Sequence, residues 1–369
     1  MNVPVWDDSK WPGLPALEGD LEADVCVVGL GGSGLSAVGE LLELGRRVVG
    51  LDAGPVAGGA AGRNGGFLLA GLAKFYHETV AQAGRERAKA IYQATLEQLE
   101  RMCRETPEAI RRVGSLRIAA DAEEYRDCLE HLEALRADGF PAEPYEGPEG
   151  RGILIPSDGA FNPLLRCRLL ARGLLGQGAT LFEQTPALEI SGRAVRTPGG
   201  TVHCKRVIVA VDGRLEALFP ELAGRVRTAR LQMLATAPAP EVRFPRPVYY
   251  RWGYEYWQQL PDGRVALGGF RDQGGEGEWT HAAEPGEAVQ QRLERFLREH
   301  LGVRAEVTHR WAASVGYTES GWPVLEEVRP GVWAVGAYSG TGNVVGAILG
   351  RLAARLAAGV PVRSPLLPA

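Results

Sequence analysis

The pattern of apolar and polar positions changes period along the chain, and each change marks an element. Four apolar residues, Val25–Val28, run into Gly29-Leu30-Gly31-Gly32-Ser33-Gly34, an amphipathic helical pattern follows, and Arg47-Val48-Val49-Gly50-Leu51-Asp52 closes the unit. This reads as strand, glycine turn, helix, strand. A helical stripe covers residues 79–104, with Tyr92, Leu96, Leu99 and Cys103 at successive helical spacings, and another covers 121–137, with Tyr125, Leu129 and Leu132 inward. Between them 115–120 reads as a short strand. The proline- and glycine-rich stretch 140–148 reads as a breaker cluster that returns the chain between domains. A helix over 162–175 precedes short strands near 180–182, 188–190 and 207–211, which are expected to rejoin the first sheet; the last has the unbroken apolar character of a central strand. Residues 248–257 hold six aromatics and lead through Pro261-Asp262-Gly263 into a second β-run at 265–269, which predicts an antiparallel sheet. A helix over 286–300 would bury Leu293, Phe296 and Leu297. The opening grammar then returns: a strand over 332–336, a glycine turn over 337–342 and a helix over 343–358. Residues 1–21 read as an irregular arm, with Trp6 and Trp11 packing on the first domain.

The glycine turns carry the candidate chemistry. In the first, Gly29 makes the tight turn, Gly31 lets a pyrophosphate approach the backbone, Gly34 lets the helix sit close on the strand, and free N–H groups at the helix start face phosphate. Asp52 lies where a carboxylate accepts ribose hydroxyls. The loop that follows, from Ala53 through Gly62, Arg63, Asn64, Gly65 and Gly66, is glycine-rich enough to press its backbone against a flat or phosphorylated ligand. Two strand-glycine-helix units at opposite ends of one chain imply a ligand long enough to meet both. The second helix start would stabilise the negative charge of a reduced flavin. NAD needs no such second site, so FAD is the preferred cofactor. The cofactor set is therefore Gly29, Gly31, Gly32, Ser33, Gly34, Asp52, Ala53, Gly62, Arg63, Asn64, Gly65 and Gly66, joined by Gly336, Ser339, Gly340, Thr341, Gly342 and Asn343.

Composition narrows the alternatives. With 369 residues the chain has room for about two domains, and a formal charge of -4 gives no footprint for nucleic acid. The five cysteines are odd in number and never in C-x-x-C, so neither a disulfide framework nor a metal site is indicated, and a cytoplasmic location fits. No apolar run is long enough for a membrane span, and the first twenty residues lack the apolar core of a signal peptide.

Taken together, these markers resemble the FAD-dependent amine and amino-acid oxidases of the D-amino-acid-oxidase superfamily, and within it the branch containing γ-glutamylputrescine oxidase. They are Gly29 to Gly34 with Asp52, Gly62 to Gly66, the Pro-Asp-Gly-Arg turn with Gly268-Gly269, Tyr317-Thr318, and Gly336 to Gly342. The resemblance implies an α/β fold. A discontinuous Rossmann-like FAD domain of the glutathione-reductase type would comprise 1–80, 150–228 and 308–369, and an α+β substrate domain with a mixed sheet would comprise 81–149 and 229–307. It further implies that Ala187 meets adenine through its backbone, that Ala210 and Gly213 lie by the cofactor, and that Gly340 to Gly342 hold the flavin ring. Val315 stands where covalently flavinylated relatives have cysteine, which implies non-covalent FAD. Val344 and Ala266 stand where sarcosine oxidases have their substrate-binding and oxygen-activating lysines, which argues against sarcosine.

The expected activity is oxidation of a primary or secondary amine or an amino acid. Hydride would pass from the carbon bearing nitrogen to flavin N5, the imine would hydrolyse, and O2 would be reduced to peroxide. Tyr250, Arg251, Tyr256, Trp257 and Arg271 are candidates for holding the substrate, with Tyr338 near the flavin edge; an arginine there could pair with a carboxylate. Three alternatives stay open. One is an FAD-dependent amino-acid or hydroxy-acid dehydrogenase passing electrons to a quinone or carrier protein. The others are an NAD-dependent dehydrogenase and a non-catalytic flavin-binding module.

Overall fold

In the computed structural model, which describes residues 2–367, the opening pattern folds as the Val25–Val28 strand, the Gly32–Glu43 helix and the Val48–Leu51 strand. It belongs to one of two units, made of Asp8–Gly62, Leu164–Thr228 and the chain from Val315 onward. Its sheet runs in the order Thr180–Phe182, Val48–Leu51, Val25–Val28, Arg206–Val209, Val332–Gly336, Val324–Arg329, with the first five strands parallel and the last antiparallel. All four residues of Val25–Val28 are buried. That is why the strand reads as an unbroken apolar run, as expected of a parallel strand covered on both faces. Cys26, Leu51, Val207, Val332 and Ala334 form part of its core.

The Val345–Ala357 helix packs along Gly32–Glu43. Glu40, 3% exposed, is answered by Arg355 at 2.7 Å and Arg351 at 3.9 Å. The strand expected near 188–190 forms as Glu189–Ser191 but does not rejoin this sheet. It pairs in a separate four-stranded sheet with Ala194–Thr197, Gly200–His203 and Leu21–Glu22. Tight two-residue turns fold these segments into adjacent hairpins, which satisfy their backbone groups locally.

The other unit comprises the segment ending at Asp7, Arg63–Pro163 and Ala229–Ser314. The units therefore exchange after residues 7, 62, 163, 228 and 314, where the sequence suggested 80, 149, 228 and 307; of the expected domain limits, residues 1 and 368–369 lie outside the described residues. An eight-stranded mixed sheet runs Val307–Thr318, Val226–Pro238, Arg264–Gly269, Glu255–Gln259, Val248–Tyr250, Ser115–Ile118, Gly150–Ile155, Glu143–Gly147. The Val248–Tyr250 and Ser115–Ile118 pair is parallel, flanked by antiparallel pairs. The Glu287–Glu299 helix covers one face through Val289, Leu293 and Leu297. The other face meets helices Tyr76–Ala83, Arg85–Glu105 and Ala122–Ala137 through Ile153 and Ile155.

Four expectations are corrected in this unit. The stripe over 79–104 is two helices, divided at Gly84, whose φ of 81° only glycine adopts readily. Residues 140–148 do not return the chain between units. Glu143–Gly147 is the outermost strand of the mixed sheet, where Pro144 is tolerated because an edge residue can spare its N–H. The aromatic run 248–257 folds back on itself at Arg251–Gly253, giving two antiparallel strands. The buried side of Ala122–Ala137 is Glu124, Cys128, His131, Leu132 and Leu135, while Tyr125 lies half-exposed under Arg151. The helix start itself is a local feature: Asp121 accepts from the backbone N–H groups of Glu123 and Glu124.

Candidate functional site

The first glycine turn has the geometry its residue types require. Gly29 sits at φ 99°, and a Cβ there would lie 2.4 Å from the Ala210 carbonyl oxygen; a Cβ on Gly34 would lie 1.8 Å from that of Gly29. Only glycines let the Gly32–Glu43 helix begin this close to its strand. No side chain caps this helix start, and its first turn holds no acidic residue. Its leading N–H groups are thus available to an anion, in the field of the helix dipole. Space around Gly32 is open.

Asp52 turns out to build the loop as well as to face it. Its carboxylate accepts from Leu30 N at 2.8 Å and Gly54 N at 2.9 Å, and burial pushes its pKa up against those two donors. Each oxygen keeps a lone pair for a hydroxyl donor. Ala53 follows it, Ala187 packs partly buried on the core, and the Ala210 N–H donates to Val28 O at 2.7 Å. Gly62 stands within this unit, where a Cβ would meet the Ala57 carbonyl at 2.4 Å.

The second turn lies beside the first in the same unit. Ala337, Ser339 and Gly340 all have left-handed φ values, of 53°, 51° and 93°. Ser339 N donates to Gly316 O, and Thr341 Oγ1 donates to Tyr338 O at 2.8 Å. The Val345–Ala357 helix that follows Asn343 again starts with no side-chain cap and no acid in its first turn. Tyr338 joins the two helix starts: its hydroxyl donates to Ser33 Oγ at 2.7 Å, and the side chain is 5% exposed. It is a strut between helices rather than an open wall of a substrate site, and burial raises its pKa.

Asp212 is a feature of this turn that the sequence pointed to only as an Asp-Gly pair ending a central strand. Half-buried, at φ 53°, it accepts from Tyr338 N at 3.1 Å and Gly316 N at 3.4 Å, and so ties the ends of three strands beneath the second turn, with Gly213 next to it. Burial pushes its carboxyl up to about 6.

Arg63, Asn64, Gly65 and Gly66 belong to the mixed-sheet unit, where their side chains are already engaged. Arg63 donates from Nε to Ala312 O at 2.7 Å and from its terminal nitrogen to Asn2 O at 3.0 Å, while Trp311 Nε1 donates to its carbonyl. The guanidinium thereby fastens backbone carbonyls within this unit. Asn64 Oδ1 accepts from Gly66 N at 2.9 Å, and Gln258 Nε2 donates to the Gly65 and Gly66 carbonyls.

The strand pleat sorts the substrate candidates, because neighbours in sequence point to opposite faces. Trp257 and Tyr250 face the Glu287–Glu299 helix: Trp257 is 1% exposed, and both pack against Phe296 and His300. Arg251 is committed to two carboxylates, Glu255 and Asp272, which hold its pKa up. Arg271 lies over the rings of Tyr254 and Trp279. Of the three candidates that lie in strands of this sheet, Tyr250, Tyr256 and Trp257, Tyr256 alone points to the opposite face. There it meets residues that sequence reasoning missed. Phe67 stacks on Tyr249 at 4.9 Å and meets Tyr256 edge-on at 5.7 Å, and the Arg117 guanidinium lies 5.4 Å from the Tyr249 ring. Gln258 shares the face, its Oε1 accepting from Arg111 at 2.7 Å.

Known proteins resemble the chain over nearly its whole length. The protein is 29% identical to a probable oxidoreductase OrdL of Rhizobium meliloti, covering 94% of this chain and 86% of that protein. It is 27% identical to the γ-glutamylputrescine oxidoreductase of Escherichia coli, covering 93% and 85%. Among solved structures it shares its fold with glycine oxidase from Geobacillus kaustophilus, with a TM-score of 0.75 at 21% identity over 93% of this chain and 96% of that one. L-proline dehydrogenase from P. horikoshii also gives 0.75, at 17% identity over 95% and 96%. Among the described residues no helix is long and apolar enough to cross a membrane. Residues 24–356 match the DAO family of FAD dependent oxidoreductases, and the chain belongs to that family.

Proposed function

We propose that the protein oxidises a primary or secondary amine, or an amino acid, at the carbon bearing the nitrogen, with non-covalently held FAD as first electron acceptor. The observation that carries this reading is the pair of uncapped, glycine-lined helix starts joined by the Tyr338–Ser33 hydrogen bond, which suits a long anionic dinucleotide. The chemistry FAD supplies when bound is acceptance of hydride from the substrate carbon and delivery of the electrons to oxygen, giving peroxide and an imine that water hydrolyses. The chain's own contribution is placement. Tyr256, Tyr249 and Phe67 form an aromatic wall that orients the carbon skeleton and excludes water, and the Gln258 amide is spent on holding Gly65 and Gly66. Val315, buried, offers no nucleophile for a covalent flavin link. That relatives are named for γ-glutamylputrescine, glycine and L-proline supports a nitrogen-bearing substrate.

A second reading, a dehydrogenase that reacts slowly with oxygen, is favoured by Ala266, a fully buried methyl group where the resemblance puts an oxygen-activating lysine. Anaerobic mixing with amines, amino acids and hydroxy acids, followed by the visible flavin band, tests the activity. Bleaching by amines or amino acids supports it, and bleaching by hydroxy acids alone overturns it. Peroxide released per amine consumed in air separates oxidase from dehydrogenase.

A further inference from the structure

The mixed-sheet unit contains a recess that the reading above leaves unused. Its walls include Gly71, Tyr76, Thr79, Tyr92, Arg117 and His131, with Lys74 exposed at the rim. Three side-chain donors of its lining are buried without a hydrogen-bond partner, Tyr92 Oη, Arg117 Nε and His131 Nε2. His131 is 3% exposed, and its Nδ1 accepts from the Tyr76 N–H at 2.6 Å. The neutral ring therefore carries its proton on Nε2, as a donor. Burial, together with the charge of Arg117 and the neighbouring His77, holds this imidazole neutral. The Arg117 guanidinium lies 5.6 Å from the ring of Phe75 and 5.4 Å from that of Tyr249, and these ring contacts restrict where it can move. Asp158 is near enough for Arg117 to lower its pKa, yet its oxygens accept from Ala70 N and Ser115 Oγ and not from the arginine. Asp158 thus offsets part of the positive charge, which leaves a site suited to one carboxylate group rather than to a doubly charged group such as a phosphate.

From this geometry, and resting on the amine-oxidation reading, we infer that the recess binds a carboxylate borne by the substrate at the end remote from the oxidised carbon, through Arg117 and His131. Buried donors without acceptors call for an acceptor, and the planar guanidinium fork matches a carboxylate. The stacked rings of Phe67 and Tyr249 beside Arg117 offer an apolar surface along which a methylene stem can lie.

The test uses the FAD-loaded enzyme and ω-amino acids of four to eight carbons, each paired with its terminal carboxamide, with anaerobic flavin reduction as readout. Losing one charge-assisted hydrogen-bonded contact predicts that kcat/KM favours the best acid over its amide by roughly 10- to 100-fold. In Arg117→Met this ratio falls toward one, and Arg117→Lys, which keeps the charge without the fork, restores part of it. Melting curves and FAD content accompany each variant. Glutarate, titrated calorimetrically into the wild-type enzyme, is expected to bind and to compete with the acids, and to lose binding in Arg117→Met. Equal reduction by acids and amides, or a preference that survives Arg117→Met in a folded, FAD-replete protein, overturns the carboxylate site while leaving amine oxidation intact. Absence of reduction by every amine, with glutarate still bound through Arg117, overturns the amine-oxidation reading instead.

Discussion

Gly350 provides a prediction in which two effects of opposite sign compete. It lies inside the Val345–Ala357 helix, where replacing glycine by alanine ordinarily stabilises by ~1 kcal/mol. Here an added Cβ would sit 2.1 Å from the Ser33 carbonyl oxygen and 3.1 Å from Ser33 Oγ, and real Cβ atoms essentially never approach within 3.0 Å. Relief requires the two helices to part by roughly 1 Å, against close-packed neighbours. Such overpacking costs ~1–3 kcal/mol. The same movement pulls Ser33 from Tyr338, whose hydrogen bond is worth ~1 kcal/mol. The net expectation for Gly350→Ala is destabilisation by ~1–3 kcal/mol, a fall in melting midpoint on the order of 5 °C for a unit of this size. Because both helix starts shift relative to each other, FAD affinity should weaken by about tenfold or more, equivalent to ~1.4 kcal/mol. Thermal melts of apoprotein and FAD-loaded protein, with FAD titration of the apoprotein, measure both. A Gly350→Ala protein that melts higher than wild type and binds FAD equally well would refute the close packing of the two starts.

Three further outcomes follow from the site. Tyr338→Phe should cost ~1 kcal/mol of stability in melts, by leaving Ser33 Oγ without its donor; loss of amine turnover with stability and FAD content unchanged would show a direct chemical role instead. Asp212 has its pKa raised from 3.8 to about 6, so between those values the native state binds the proton more tightly than the unfolded chain. Its contribution to stability is therefore fully present below pH about 4 and lost as pH rises through about 6. Denaturant titrations from pH 4 to 7 should show Asp212→Asn gaining on wild type as pH rises, and a gap that widens the other way would contradict the assignment. Arg63→Met should destabilise by ~2 kcal/mol, because carbonyls of Ala312 and Asn2 lose charged donors; a variant of unchanged stability that simply lost FAD would return Arg63 to the cofactor.

What was legible in the sequence was local. A strand, a glycine turn and a helix are written within a few residues, so Gly29, Gly34 and the 337–342 turn lie where their spacing puts them. The joining of the two turns was not legible, since Tyr338 and Ser33 are 305 positions apart. Nor could the aromatic run be assigned its faces. The left-handed residues Arg251 and Trp252, held by Glu124, Asp127, Glu255 and Asp272, fold the strand back and reset which residues share a side. Tyr249 and Tyr256 therefore meet across the fold-back, while Tyr250 and Trp257 go to the other core. Arg117 and His131 escaped notice because a polar residue in an otherwise amphipathic segment reads as solvated, and only packing reveals that the His131 ring and the Arg117 Nε are buried.

Cofactor binding depends above all on an anionic dinucleotide meeting the uncapped start of the Gly32–Glu43 helix. Gly32→Asp tests it directly, because nothing lies within 4 Å of the added Cβ and an acidic residue in a first turn ordinarily helps a helix by ~0.3–1 kcal/mol. The measurement is FAD bound per chain after purification and after titration of the apoprotein. The expected result is an apoprotein that melts no lower than wild type yet binds FAD at least about a hundredfold more weakly, since one helix start cannot serve two anions. A Gly32→Asp protein that purifies with one FAD per chain and wild-type affinity would contradict it.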